Sequence, residues 1–306
     1  MMSAPLPLRL YGAVSSVVGP LIYPRVARKL RMLGTASDRL EERKGFATLA
    51  RPKGQLLWCH AASVGESLSV LRLISHLGEQ FPDLSFLLTS GTATSAQVLT
   101  GRLPPRTQHQ FAPVDTPAAV DRFLAHWAPT AAVFVESELR PNMLGRSSAA
   151  GIPLALVNAR ISDRSARNWS RARATARHLM ENFRVIHCQD KRTAEHLRSL
   201  GLDHAAQGPN LKAMSAPLPV DEGELMRLTA MLQNRPLWVA SSTHPGEDDI
   251  MLDAHQRVLS QEPGALLILV PRHPERAKAI LDHIASRGLR ATQRSLGADP
   301  NPESPV

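Results

Sequence analysis

Residues 55–89 read QLLWCHAASVGESLSVLRLISHLGEQFPDLSFLLT. Gln55 to His60 is a short apolar run of strand length. Gly65 to Gln80 places Leu68, Leu71, Ile74 and Leu77 three apart, which makes one helical face. Leu84 to Thr89 is a second apolar run. The pattern is strand, helix, strand, and both strands are apolar without strict alternation. Such strands suit a parallel sheet covered on both faces.

The alternation continues outward. Helices are expected over Thr94–Leu99, Pro117–His126, Pro141–Ala150 and Lys191–Leu200, with one long Arg-rich helix over Ser165–Asn182. Strands are expected at Ala131–Val135, Pro153–Asn158 and Arg184–Cys188. The Pro-rich stretch KAMSAPLPV (212–220) breaks the alternation and marks a linker. Beyond it, strands are expected at Leu237–Ser241 and Ala265–Val270, helices at Glu247–Ser260 and Pro274–Arg287, and a third strand at Leu289–Arg294. The tail SLGADPNPESPV (295–306) is polar and Pro-rich. The expected fold is α/β, with an N-terminal doubly wound parallel sheet domain over 36–212. A smaller Rossmann-like unit follows over 221–294, incomplete beside the five or six strands an open sheet usually carries.

A chain of 306 residues, 43% apolar and 21% charged, needs no covalent staple to bury a core. Two widely separated cysteines, Cys59 and Cys188, exclude a disulfide framework or a Cys-based zinc site. The net charge of +9 points to an anionic partner. Aromatic residues are only 4% of the chain, too few for the stacking platforms that single-stranded nucleic acid needs, so nucleic acid is not an expected partner. Leu6 to Pro24 is apolar apart from Arg9, but Gly12, Gly19, Pro20 and two serines interrupt it. It is too broken for a spanning helix. Arg25, Arg28, Lys29 and Arg31 follow it, so residues 1–35 fit a helix lying on an anionic membrane surface. A core helix with a solvated basic end fits the same residues.

Four stretches carry chemistry. The first, His60-Ala-Ala-Ser-Val-Gly-Glu-Ser67, joins a strand to a helix at the carboxyl end of the sheet, where open α/β folds bind ligands. Gly65 would let the backbone turn and Glu66 would stand in the first helical turn, placed to take a proton. Ser63 and Glu66 are also spaced as a capping box. In the second, Glu136 and Glu138 follow an apolar strand and, in an extended segment, would point the same way; solvated loop acids fit as well. The third runs from Asn158 and Arg160 through Arg164, Arg167, Arg171, Arg173 and Arg177, a surface suited to phosphate or simply a solvated basic face. The fourth pairs SSTHPGE (241–247) with VPRHPER (270–276), two strand-to-helix loops whose hydroxyls, helix N-terminus and Arg272 would accept an anion. No glycine-rich phosphate loop and no metal-ligand spacing occurs.

In their order and spacing, RLEERKGF (39–46), HAASVGES (60–67), FVESELRPN (134–142), VNARIS (157–162), SSTHPGED (241–248) and VPRHPER (270–276) resemble the 3-deoxy-D-manno-octulosonic acid (Kdo) transferases of lipopolysaccharide synthesis. The resemblance implies a GT-B glycosyltransferase that uses no cofactor or metal and works at the cytoplasmic face of the bacterial inner membrane. It implies inverting transfer of Kdo from CMP-Kdo to a lipid A precursor (lipid IVA), with Glu66 as general base. Ser63, Gly65, Glu136, Glu138, Asn158 and Arg160 would meet the acceptor. Lys212, Ser242, Thr243, His244, Arg272, His273 and Glu275 would meet the donor. Arg140 stands where the family usually has Trp, and QGPNLKAM (207–214) replaces a TGNLKFD-like stretch. The family's later GGxNPxE-like phosphate loop does not occur in the chain, which reads as C-terminally shortened. A non-catalytic protein that binds the acceptor lipid is the alternative expectation.

Overall fold

A computed structural model describes residues 4–137, 139–211, 213, 220–232, 235–301 and 303–306. The chain divides into two compact units, Met1–Pro217 and Leu218–Val306.

In the first unit, β1 (Leu56–His60), β2 (Ser85–Ser90), β3 (Thr107–Phe111), β4 (Ala131–Val135), β5 (Leu154–Ala159), β6 (Phe183–Cys188) and β7 (Ala205–Gln207) form one parallel sheet in the order β3-β2-β1-β4-β5-β6-β7. Side chains alternate across it. Trp58, Leu87 and Phe134 enter the larger core with Phe123 and Phe183, while Cys59, Phe86, Leu88 and Val135 face Val70 and Ile74 on the other side. Both faces are therefore covered, as apolar parallel strands require. The connecting helices are α2 (Val64–Gln80), α3 (Ala93–Leu99), α4 (Pro117–Trp127), α5 (Pro141–Ala149), α6 (Asp163–Arg171), α7 (Arg173–Met180) and α8 (Lys191–Ser199). Strand order reverses between β1 and β4, so the carboxyl ends of these two neighbours flank the crevice where such sheets take ligands.

A long helix, Leu6–Met32, precedes the sheet and is α1 here. Its carboxyl half packs Ala27 and Leu30 against Leu40 and Phe111. Gly19 lies so close to Thr116 that a Cβ could not be placed there. Leu6, Leu10, Val14, Val17 and Leu21 remain exposed. Among the described residues no helix is long and apolar enough to cross a membrane. A 3-10 turn (Asp38–Lys44) follows and ends at Gly45, whose φ of 88° and contact with the Ala119 carbonyl admit no side chain.

Several expectations are corrected. The strand β3, sequence TQHQF, carries too few apolar residues to show a strand pattern, and β7 is only three residues long. The Arg-rich segment is two helices, because Ala172 leaves helical geometry at φ −119°, ψ 40°. In the second unit α9 (Glu222–Leu232) precedes a parallel pair, β8 (Leu237–Thr243) and β9 (Leu266–Pro271), covered by α10 (Glu247–Gln261) and α11 (Ala277–Ser286). Residues 289–294 form no strand. The polar tail docks instead: Leu267 N–H donates to the Pro305 carbonyl at 2.8 Å, Thr292 N–H to Val306, and Arg235 to the carbonyls of Asn301 and Ser304. Leu252, Leu267, Ile280 and Ile284 form this unit's core.

Candidate functional site

The β1–α2 loop is built by its own hydrogen bonds. Ser63 is the N-cap of α2 in extended geometry, and its Oγ accepts from the Glu66 N–H at 3.3 Å. The Glu66 carboxylate accepts from Ala62 N–H at 2.8 Å and from Ser63 Oγ at 2.9 Å. This arrangement is a variant of the expected capping box: Ser63 Oγ accepts from the Glu66 N–H, but the Glu66 side chain returns to the Ala62 N–H and the Ser63 hydroxyl, with the Ser63 N–H not its donor. It also fixes a half-buried carboxylate at the carboxyl end of β1, on the rim of the crevice. Gly65 does not have the role expected for it. It lies inside the helix without a left-handed φ, and a Cβ there would meet nothing within 4 Å. What it leaves is open space beside the first helical turn, not a tight bend. Beneath the loop, buried His60 packs against Trp58 and Phe134, and its Nδ1 lies 2.9 Å from Thr89 Oγ1.

At the next strand end, Glu136 N–H still donates to the Val157 carbonyl, but Glu136 then turns to φ 59°. The backbone leaves extended geometry at Glu136. Glu138 and Lys212 lie outside the described residues. Asn158, one strand further, is buried and also left-handed at φ 54°. Its Nδ2 reaches Glu136 Oε1 at 3.5 Å and its Oδ1 accepts from Leu211 N–H at 3.2 Å. Two non-glycine residues held at positive φ on neighbouring strand ends cost roughly 1–3 kcal/mol each, the sort of strain that concentrates at ligand sites. Arg160 is exposed just beyond, its carbonyl accepting from Ser137 Oγ. Ser63, Gly65, Glu66, Glu136, Asn158 and Arg160 thus share one sheet edge, on β1, β4 and β5.

The Arg-rich helices are mixed in character. Arg177 pairs with Glu181, and Arg171 donates to Asn168, while Arg164, Arg167 and Arg173 are exposed. Asp163 pairs with Arg192 and His196, and His196 with Arg192 holds its carboxyl below the usual range.

In the second unit the structure brings together Ser242, Thr243, His244, Arg272, His273 and Glu275. They stand at the carboxyl ends of β8 and β9, which pair at Thr243 and Pro271. Ser242 is left-handed at φ 61°, and the His244 and His273 rings meet edge-on at 6.2 Å. The expectation that the α10 N-terminus would accept an anion meets a difficulty. Glu247, Asp248 and Asp249 fill its first turn, and Glu247 already accepts from His244 N–H at 2.8 Å. Positive charge must come from the β9 loop, where Arg272 is exposed. The sequence reading gave no role to Arg276, which pairs with buried Asp248 and donates to the Thr243 carbonyl, tying the two loops together. No cluster of metal-ligating side chains occurs among the described residues.

Comparisons with known proteins match this architecture. A UDP-GlcNAc 2-epimerase from Neisseria meningitidis, solved with UDP-GlcNAc, superposes with a TM-score of 0.56 at 12% identity, over 76% of this chain and 70% of that one. A glycosyltransferase from Rickettsia africae superposes with a TM-score of 0.50 at 9% identity, over 77% of this chain and 66% of that one. These likenesses concern the fold, which is α/β of the GT-B type. In sequence, a 3-deoxy-D-manno-octulosonic acid transferase of Rickettsia felis is 40% identical over 78% of this chain and 52% of its own length, so the chain spans about half of that relative. The enzyme of the same name from Rickettsia bellii is 34% identical over 94% of this chain and 69% of its own length. The family model described as 3-deoxy-D-manno-octulosonic-acid transferase (kdotransferase) matches residues 38–215, from the 3-10 turn through every strand of the first sheet. With the family's model laid over the sheet edge that carries Ser63, Glu66, Glu136 and Asn158, this chain belongs to the Kdo transferase family.

Proposed function

We propose that the chain transfers Kdo from CMP-Kdo to a lipid A precursor, lipid IVA, with inversion at the anomeric carbon and Glu66 as general base. The observation that carries this reading is the capped Glu66 carboxylate at the reversal point between β1 and β4, next to the strained Glu136–Asn158 pair. An acceptor sugar hydroxyl attacks the anomeric carbon, and its proton passes to Glu66. The bond from that carbon to the CMP phosphate oxygen breaks, and its electron pair leaves with CMP. Gly65 leaves room for the acceptor beside the first helical turn. Asn158 and Glu136 offer it polar contacts, and Arg160 offers charge. In the second unit Arg272, Ser242, Thr243, His244, His273 and Glu275 hold the CMP moiety, with Arg272 facing its phosphate.

The test is incubation of the full chain with radiolabelled CMP-Kdo and lipid IVA. A Kdo-bearing lipid product is expected. Acceptor binding without product would overturn the transferase reading and leave the chain an acceptor-holding role.

The membrane-surface reading rests on α1. Leu6, Leu10, Val14, Val17 and Leu21 are exposed ahead of Arg25, Arg28, Lys29 and Arg31. An apolar helix face flanked by cations binds anionic interfaces, each cation contributing about 1 kcal/mol. We place the protein peripherally at the cytoplasmic face of the inner membrane. The full chain is expected to sediment with phosphatidylglycerol vesicles and to be released by high salt. Val17→Glu with Leu21→Glu should weaken that binding about tenfold or more. Equal sedimentation of this double variant and the parent would remove α1 as the anchor.

A further inference from the structure

The parallel pair of the second unit carries a bulge at its carboxyl end. β8 and β9 keep one register from Leu237 opposite Leu266 to Ser241 opposite Val270, and the register then shifts so that Thr243 meets Pro271. Ser242 is the extra residue, and it lies at φ 61°. A bulge re-aims the side chains beside it. Serine lacks the freedom of glycine, so a left-handed backbone at Ser242 persists only where its surroundings over-determine it.

Those surroundings can be named. The Thr243 carbonyl, just past the bulge, accepts from the Arg272 N–H at 3.0 Å and from Arg276 Nη1 at 3.1 Å. Arg276 Nη2 donates to Asp248 Oδ2 in the first turn of α10. One guanidinium therefore joins three segments: the end of β8, the start of α10 and the loop after β9. Stability alone does not call for this pair. The Asp248 side chain is 6% exposed and that of Arg276 19%, and Asp248 Oδ1 is sealed from solvent without a hydrogen-bond partner. A buried ion pair left partly unmatched is often no more stable than apolar residues of the same volume. What the planar fork of Arg276 adds is a fixed geometry between two acceptors.

We propose that Arg276 is a positioning residue for the donor phosphate. Through the Thr243 carbonyl and Asp248 it holds the Ser242 bulge and the Arg272 backbone in the shape that takes the anion. The identity of that anion rests on the function proposed above; the holding of the bulge does not. The two arginines of VPRHPER (270–276) thus divide the work. Arg276 spends its fork on the protein, and exposed Arg272 presents its own to the ligand.

The competing view is that the pair only fastens α10 to the loop after β9. Arg276→Met combined with Asp248→Leu separates the two, because it removes both charges and fills their space. The Tm of this double variant should equal or exceed that of the wild type. Its Kd for CMP, measured by calorimetry on the full chain, should rise about tenfold, within the coupling usual inside one hydrogen-bonded network. With CMP-Kdo as substrate, KM should rise more than kcat falls. Amide hydrogen exchange needs no ligand: the Arg272 amide should exchange faster in the double variant, while the amides of Leu266 and Leu267 keep the wild-type rate. Wild-type affinity for CMP in a folded double variant overturns the proposal. So does a raised Kd with an unchanged Arg272 amide, since the loss would then not pass through the loop. If the wild-type chain itself binds no CMP, the donor reading fails and exchange alone decides. Faster exchange then keeps Arg276 as the holder of the bulge without the donor as its ligand, and unchanged exchange removes both. If the double variant does not fold, Arg276→Lys is measured in its place, since lysine keeps a charge for Asp248 but has no planar fork to reach the Thr243 carbonyl as well. A raised Kd for CMP with a faster Arg272 amide supports the proposal, and wild-type values of either overturn it.

Discussion

On the function proposed above, Glu66→Gln is expected to lower the rate of Kdo transfer by about 10²- to 10⁴-fold, the usual contribution of a positioned general base, and to leave the fold unchanged. Glutamine is the informative replacement because the proposal gives Glu66 a proton-accepting role beside its structural one. Its carboxylate accepts from the Ser63 hydroxyl and the Ala62 N–H, bracing the start of the helix that Ser63 caps. The glutamine amide oxygen can keep that acceptor role, since Glu and Gln both serve at the third position of the box. It cannot take up a proton at neutral pH. Glu66→Ala would confound the two roles, because losing the cap alone costs about 1 kcal/mol. Single-turnover transfer from radiolabelled CMP-Kdo, read beside Tm, separates them. The expected outcome is an unchanged Tm, little change in acceptor binding and almost no product. A Glu66→Gln chain that keeps a tenth or more of wild-type turnover removes Glu66 from the mechanism, since even the lower bound of about 10²-fold would be missed.

Most of the fold is legible in the chain because its strands are apolar and its helices are capped in recognisable ways. Ser63, Thr92, Thr116, Ser162 and Asp190 each cap a helix through a side-chain oxygen, and each sits where an apolar run gives way to helical spacing. Where the reading fell short, the cause is physical. The strand β3 owes its place to pairing with β2 and to a buried His109 bonded to Ser90, contacts between residues far apart in sequence that a polar TQHQF pattern cannot announce. The Arg-rich helix breaks at an alanine, a residue with no breaking propensity of its own. The tail is polar and Pro-rich, with no apolar pattern to announce packing, yet backbone carbonyls at 301, 304 and 305 dock it through Arg235 and Leu267. At the site, residue types announced Glu66, Glu136 and Asn158. The left-handed backbone at Glu136 and Asn158 was invisible, because neither residue is glycine. The burial of Arg43 was invisible for a related reason. Nothing in the charged motif RLEERKGF singles out which residues are buried, and only the packed structure shows Glu42 and Arg43 turned inward.

Glu42→Ala is the most destabilising substitution expected, at about 3–5 kcal/mol, the loss typical when one partner of a buried ion pair is removed. Glu42 is 0% exposed. It accepts from Arg39 Nε at 3.0 Å, Arg39 Nη2 at 3.1 Å, Thr48 Oγ1 at 2.5 Å and Phe111 N–H at 2.7 Å. These bonds clamp the 3-10 turn to the end of β3. Arg39 adds a contact to His109 Nδ1 at 2.9 Å and lies over the Phe111 ring at 4.8 Å. Without the carboxylate, a half-buried guanidinium loses its anion, and the Phe111 N–H loses its acceptor where water does not reach. The second effect alone costs about 1–3 kcal/mol. Urea denaturation followed by tryptophan fluorescence, to which Trp58 and Trp127 buried in the first unit contribute, should show the first unit's midpoint fall with an unchanged slope. Because the Glu42 carboxylate is sealed from solvent, most of the loss should persist at high salt, unlike that of a surface bridge. Replacing both residues, Arg39→Met with Glu42→Met, should recover part of the loss, since an unpaired remainder costs more than a missing pair. The recovery should be incomplete because the Phe111 N–H stays without its acceptor. A Glu42→Ala loss below about 1 kcal/mol, the worth of an exposed pair, would mean that the turn is not clamped by this carboxylate. The position of Arg43, the next residue on the same turn, would then need another explanation.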